Sequence, residues 1–150
     1  VTYIAELTSQ VLKQSNNYTI YEDFINAILK IDAGLDPLVL TNILEIKYLE
    51  ELGVLFELDC CVLCGSKTKI VTIDSDKGGF ICLNCHTNEI IVDKKVIKML
   101  RMYYYIKIKS ISTVNISDSV KNTINDFLDR YYEKYTGLYL NSKNFLKKLI

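Results

Sequence analysis

Apolar side chains recur three and four positions apart over the first fifty residues. Ile4, Leu7, Val11 and Leu12 fall at helical spacing, and Asn16-Asn17 interrupts them. Tyr21, Phe24, Ile25, Ile28 and Leu29 form a second apolar stripe that ends near Gly34. Asp36-Pro37 reads as an N-cap followed by proline at the first helical position. Leu40, Ile43, Leu44 and Tyr48 give the stripe of a third helix, with Gly53 suited to its C′ position. Three helices with short connections predict a small bundle.

The pattern changes over residues 54–92. Ile70-Val71-Thr72-Ile73 is β-rich, Asp76-Lys77-Gly78-Gly79 is a turn signal, and Phe80-Ile81 starts a return strand. Helical spacing resumes after Asp93, a candidate cap, with Val96, Ile97, Leu100, Tyr103 and Tyr104 on one face. A polar, β-branched connection spans 107–116. Ser117 or Asp118 then caps a helix whose buried face is Val120, Ile124, Phe127, Leu128 and Tyr131, ending at Gly137. Asn141 or Ser142 begins a short terminal helix with Phe145, Leu146 and Leu149. Pro37 is the only proline, and no repeat or low-complexity tract is present.

The hairpin lies between two cysteine pairs. Cys61 and Cys64 form one C-x2-C unit, Cys82 and Cys85 the other, with seventeen residues between them. That spacing reads as one tetrahedral zinc site, because two intervening residues let both thiolates of a tight turn face one ion. Gly65 follows Cys64, where the backbone turns toward the metal. A ribbon this small has little core, so the metal must do what packing cannot. The expected fold is therefore mainly α: a single helical domain over 1–150. A four-cysteine zinc ribbon with a short β-hairpin, residues 60–90, is inserted between the first three helices and the C-terminal ones. Cys60 could pair with Cys64 at C-x3-C spacing but reads as a bystander thiol. His86, the only histidine, is an alternative ligand beside Cys85.

Four thiolates close a zinc site and leave no position for water, which argues for a structural ion. No Ser–His–Asp set or phosphate loop is present. Glu50-Glu51 and Glu22-Asp23 are adjacent pairs on helices, where they diverge. The chain therefore reads as a non-enzyme. No apolar run reaches about 18 residues and no basic-then-apolar leader opens the chain. With thiols and a metal site, this predicts a protein of the reducing cytoplasm. The start at Val1 suggests an excised domain.

The formal net charge is zero, but it is unevenly spread. Residues 1–60 carry ten acids and three bases, residues 61–100 four acids and six bases, and residues 101–150 four acids and nine bases. A basic half can meet phosphates or an acidic peptide, or it can be a solvated surface packed against its own acidic half. The candidate nucleic-acid contacts are Lys94, Lys95, Lys98 and Arg101, then Lys107 and Lys109, with Lys143, Lys147 and Lys148 beyond. Tyr103, Tyr104 and Tyr105 interleave with them. Lysines neutralise phosphates and tyrosine faces stack unpaired bases.

Helices followed by Leu58-Asp59-Cys60-Cys61-Val62-Leu63-Cys64-Gly65, then Gly78-Gly79-Phe80-Ile81-Cys82 and Cys85, then more helices, form a recognisable order. It resembles the C-terminal region of the RecO family of bacterial recombination-repair proteins. The stretch from Tyr131-Tyr132 through Tyr135-Thr136-Gly137-Leu138-Tyr139-Leu140 to Ser142 and Phe145-Leu146 is similar to that family's closing motif. Asp36-Pro37 and Glu45 to Leu52-Gly53 match its helical segment. The family's N-terminal OB-fold barrel has no counterpart here, so the resemblance covers the helical and zinc-binding part.

The resemblance implies a non-catalytic module of a recombination mediator in RecFOR-type repair. It implies binding of single- and double-stranded DNA, strand annealing, and contacts with RecR and with the acidic tail of single-strand DNA-binding protein. It also implies a nucleoid-associated location. A tail site in the first three helices would need positive charge from the C-terminal ones. Two other readings stay open: a rubredoxin-like electron carrier with iron at the same cysteines, and a zinc-stabilised interaction domain of another complex.

Overall fold

The structure is a computed structural model that describes residues 2–138. The expected terminal helix, Lys143, Lys147, Lys148 and the end of the closing motif lie outside those residues. The described elements are α1 (Thr2–Leu12), α2 (Tyr18–Asp32), α3 (Pro37–Glu51), β1 (Ile70–Asp74), β2 (Gly79–Cys82), α4 (Lys94–Tyr105), a 3-10 turn (Ile108–Ser110) and α5 (Asp118–Tyr135). Among the described residues the fold is mainly helical with one small antiparallel hairpin, as the helical spacing and the β-rich segment with its turn signal predict.

Local chemistry sets the helix starts. Asn17, Asp36 and Asp93 each accept a hydrogen bond from the backbone N–H two residues on, at 3.0, 2.9 and 2.9 Å. Ser117 accepts from Val120 N–H at 3.3 Å. Each cap satisfies a donor that the first turn leaves unpaired. Gly53, at φ 76°, ends α3. Its N–H donates to Glu50 O and the Val54 N–H to Leu49 O, each at 3.0 Å, the pair of hydrogen bonds of a left-handed C-cap.

Three helices differ in part from their predicted faces; on α1, Leu12 of the expected stripe is exposed. On α2 the fully buried positions are Ile20 and Ala27, while Tyr21, Ile25 and Leu29 of the expected stripe are exposed. Apolar residues occupy both sides of α2, so spacing alone could not phase it. On α3 burial extends beyond the expected stripe to Val39, Asn42, Glu45, Ile46 and Leu49. The reason is topological: α1, α2, α4 and α5 all contact α3, so it is the central helix.

A central helix must satisfy its polar residues internally. Glu45, 1% exposed, accepts from Tyr3 Oη at 2.7 Å and from Asn42 Nδ2 at 2.7 Å. Tyr132 donates to its backbone carbonyl. Burial, reinforced by the Glu45 charge, holds the Tyr3 hydroxyl far above the usual phenol range.

The hairpin pairs Thr72 with Ile81, Ile73 with Phe80 and Asp74 with Gly79, with an irregularity between Ile70 and Thr72. Lys77 N–H donates to Asp74 Oδ2 at 3.1 Å and Gly78 N–H to Asp74 O at 2.9 Å, closing the turn. The hairpin joins the helical core through Phe80, which is fully buried. Phe56 lies edge-on to Phe80, Phe127 and Tyr131 at centroid separations of 5.9, 5.2 and 5.3 Å, an arrangement that adds to simple burial.

Candidate metal centre and basic groove

Each C-x2-C pair sits on a tight turn. In the first, Cys61 N–H donates to Ser66 O at 2.8 Å and Gly65 N–H to Cys61 O at 2.9 Å, with Gly65 at φ 77°. In the second, Cys85 N–H and His86 N–H both reach Cys82 O, at 3.2 and 3.0 Å. Val62 N–H donates to Phe80 O at 2.8 Å and ties the first turn to β2. These turns bring Cys61, Cys64, Cys82 and Cys85 together with all four Sγ atoms within 4.8 Å of one another. Four soft thiolates at that separation could hold one metal ion, and zinc fits the set.

The thiols are electrostatically unequal. Cys61 is held down to about 6: burial opposes ionisation, but backbone N–H groups of Cys82, Cys64 and Leu63 outweigh it. Hydrogen bonds to Cys64 and Cys82 push Cys85 up to about 12. Backbone N–H dipoles therefore favour the thiolate at Cys61. Cys60 lies outside the group, as a bystander thiol should. The His86 Nε2 lies 2.6 Å from Glu89 O, so that ring atom is turned to a backbone carbonyl. Lys77 pairs with Glu89 and also reaches Thr87 Oγ1, closing the far side of the loop.

Beside the metal centre a groove of about 450 Å³ runs along the seam between ribbon and α4. Lys94, Lys98 and Arg101 line one wall, Lys67 and Lys69 the other, and Ile70, Ile97, Met102 and Tyr105 the apolar parts. Of the candidate basic residues, the groove thus gathers Lys94, Lys98 and Arg101. Lys95, Lys107 and Lys109 are exposed and do not line it.

Arg101 also bridges the seam: its Nε donates to Leu58 O at 2.8 Å, and its guanidinium stands 5.2 Å from the Phe80 ring centroid. Lys67 and Lys69 were absent from the sequence candidates. They belong to the cysteine arm, and spacing within one element cannot show that the hairpin carries them opposite α4.

Comparison with known proteins gives one consistent answer. The family described as Recombination protein O C terminal matches residues 1–144. The chain is 30% identical to the DNA repair protein RecO of Listeria monocytogenes over 153 residues, covering 99% of this chain and 60% of that protein. It is 32% identical to the protein of the same name from Halalkalibacterium halodurans over 155 residues (99% and 60%). It is 30% identical to the one from Bacillus subtilis over 151 residues (98% and 59%). The chain spans about 60% of the length of these relatives. No solved structure matches significantly.

Proposed function

The chain belongs to the family of recombination protein O C-terminal regions, a DNA repair and recombination family, and from that premise we propose that it is a non-catalytic nucleic-acid-contacting module of a recombination mediator. Its four cysteines hold a structural zinc ion, and the seam groove takes the phosphates of a DNA strand. The observation that carries this reading is the groove itself: five cations and no carboxylate among its lining residues. Such a one-sign cleft raises the local concentration of polyanions. Its apolar parts, Tyr105 above all at 64% exposure, favour a single strand, whose bases are free to stack.

Strand annealing and contacts with RecR and with single-strand DNA-binding protein belong to the same proposal, on the family membership alone. So does action at the bacterial nucleoid. Among the described residues no helix is long and apolar enough to cross a membrane.

The test is fluorescence anisotropy with a labelled single-stranded oligonucleotide across a salt series. Charge reversal of Lys94 and Lys98 should weaken binding and flatten the slope of log affinity against log salt by about 0.7 per lost phosphate contact. Lys95→Glu, outside the groove, should do less. Unchanged affinity and slope in the double variant would remove the groove from the reading. An X-ray absorption edge measurement on the purified protein identifies the ion, and a coloured iron form would favour the electron-carrier reading instead.

A further inference from the structure

A second cavity, apolar and smaller, lies on the neighbouring face of α4. It has a volume of about 190 Å³ and is walled by Val39 and Ile43 of α3, by Met99 and Tyr103 of α4 and by the connection over 111–116. That is below the roughly 300–1,000 Å³ of sites for drug-sized ligands. It exceeds the roughly 150 Å³ of an apolar cavity that holds benzene, so one planar ring fits it. Thr113 and Asn115, both exposed, place polar groups at its edge.

One wall carries an unspent hydrogen-bonding group. Tyr103 is 3% exposed, yet its hydroxyl is hydrogen-bonded to nothing. A buried hydroxyl without a partner is costly. Burial, then the charge of Asp36, holds this phenol well above its usual range, so it stays protonated and able to donate. Asp36 and Asp118 are both paired with Lys121, at 2.6 and 3.0 Å. Lys107 and Lys109 are exposed on the chain that leads into the 111–116 wall.

The cavity adjoins the basic groove. Lys94, Lys98 and Arg101 lie on one face of α4, Met99 and Tyr103 on the next, and Met102 lines both spaces. Met102 is 42% exposed and forms the ridge between them. A single strand has its phosphates and its bases on different sides, and an unstacked base can be splayed out of its path.

We propose that this cavity takes one unpaired nucleobase of the strand whose phosphates lie in the groove. The base crosses the Met102 ridge, packs against the apolar walls and accepts a hydrogen bond from the Tyr103 hydroxyl. Every base carries ring-nitrogen or carbonyl acceptors, and a single-ring pyrimidine suits the volume best. The inference rests on the groove reading and adds to it a base contact that phosphate binding does not require.

The test is Tyr103→Phe, measured by anisotropy on labelled oligothymidine and on an abasic deoxyribose-phosphate strand of equal length. The variant should bind oligothymidine about three- to tenfold more weakly, the loss of one hydrogen bond. Its salt slope should not change, because no phosphate contact is lost. The abasic strand should bind wild type and variant alike. The free variant should melt no lower than wild type, since the hydroxyl it loses has no partner. Thr113→Trp, which crowds the edge of the cavity from an exposed position, should likewise weaken oligothymidine and spare the abasic strand. Wild-type affinity for oligothymidine in Tyr103→Phe overturns the proposal, and so does an equal loss on the abasic strand. A lowered melting temperature also overturns it, by showing that the hydroxyl is already satisfied. If charge reversal of Lys94 and Lys98 weakens binding while Tyr103→Phe does not, the groove reading stands and only the base contact falls.

Discussion

Removing the metal should detach the ribbon from the helices without unfolding them at room temperature. The perturbation is a strong chelator, or Cys82→Ser. Without the ion, the four sulfurs have nothing to hold the two turns together, and the hairpin's own ladder is too short to persist. Detachment removes Phe80, now fully buried, from the Phe56 cluster, at about 3–5 kcal/mol for a lost core phenylalanine. It also breaks the Arg101–Leu58 bond, a charged-donor hydrogen bond of about 1.5–3 kcal/mol. Full detachment therefore costs the helical part about 5–8 kcal/mol, against about 5–15 kcal/mol for a domain's whole stability.

The helices retain their own centre. Leu40, Leu44, Ile46 and Leu49 of α3 are fully buried, and α3 contacts α1, α2, α4 and α5 directly. The expected result is a far-ultraviolet helical signal that survives chelation at about 20 °C, with a melting temperature lowered by about 10–30 °C at about 2–4 °C per kcal/mol. Loss of the helical signal on chelation at that temperature refutes the separability of ribbon and bundle. A shift below about 5 °C refutes the importance of the Phe80 seam.

Four further outcomes follow from particular contacts. Glu45→Ala should destabilise by about 2–4 kcal/mol in urea titration, because it removes the buried acceptor of the Tyr3 hydroxyl and Asn42 amide hydrogen bonds. Asp36 is held below its usual range: burial opposes the charge, but hydrogen bonds from Lys121 and the Leu38 N–H outweigh it. Its folded pKa is depressed, so its stabilisation is present above its ordinary value of 3.8 and lost as pH falls through the folded pKa. The urea midpoints of wild type and Asp36→Asn should accordingly differ at pH 6 and converge on acidification. Gly53→Ala should cost about 1 kcal/mol by thermal melting, entirely from backbone conformation, since nothing lies within 4 Å of the added methyl. Tyr131→Phe, which removes the donor to Val54 O seen at 2.5 Å, should cost about 1–2 kcal/mol in the same assay while leaving metal content unchanged.

The elements were legible where local chemistry alone decides them. Asp36-Pro37, Asp93 and Ser117 cap helices by contacts with their own next turn, and the C-x2-C pairs make their turns with residues between and beside them. What escaped the sequence depends on packing across the chain. The apolar residues on both sides of α2 leave its phase to whichever neighbours reach it, and Tyr21, Ile25 and Leu29 are the ones left exposed. Glu45 reads locally as a surface acid, and only the arrival of Tyr3 and Tyr132 from opposite ends of the chain makes it interior.

The same distinction explains the groove. Lys94, Lys98 and Arg101 sit three and four residues apart, so a helix presents them together and the sequence shows it. Lys67 and Lys69 reach them only because the cysteine arm folds back, Phe80 anchors it, and Arg101 ties α4 to Leu58. Arg101 thus differs from its two lysine neighbours: part of its bonding capacity is committed to the seam. Its loss should weaken strand binding by separating the walls as well as by removing charge. Arg101→Lys keeps the charge but lacks the planar fork that reaches Leu58 O and covers Phe80. It should therefore lower both affinity and melting temperature while leaving the salt slope within about 0.7 of wild type. A variant that binds and melts as wild type does would show that the walls stay together without Arg101.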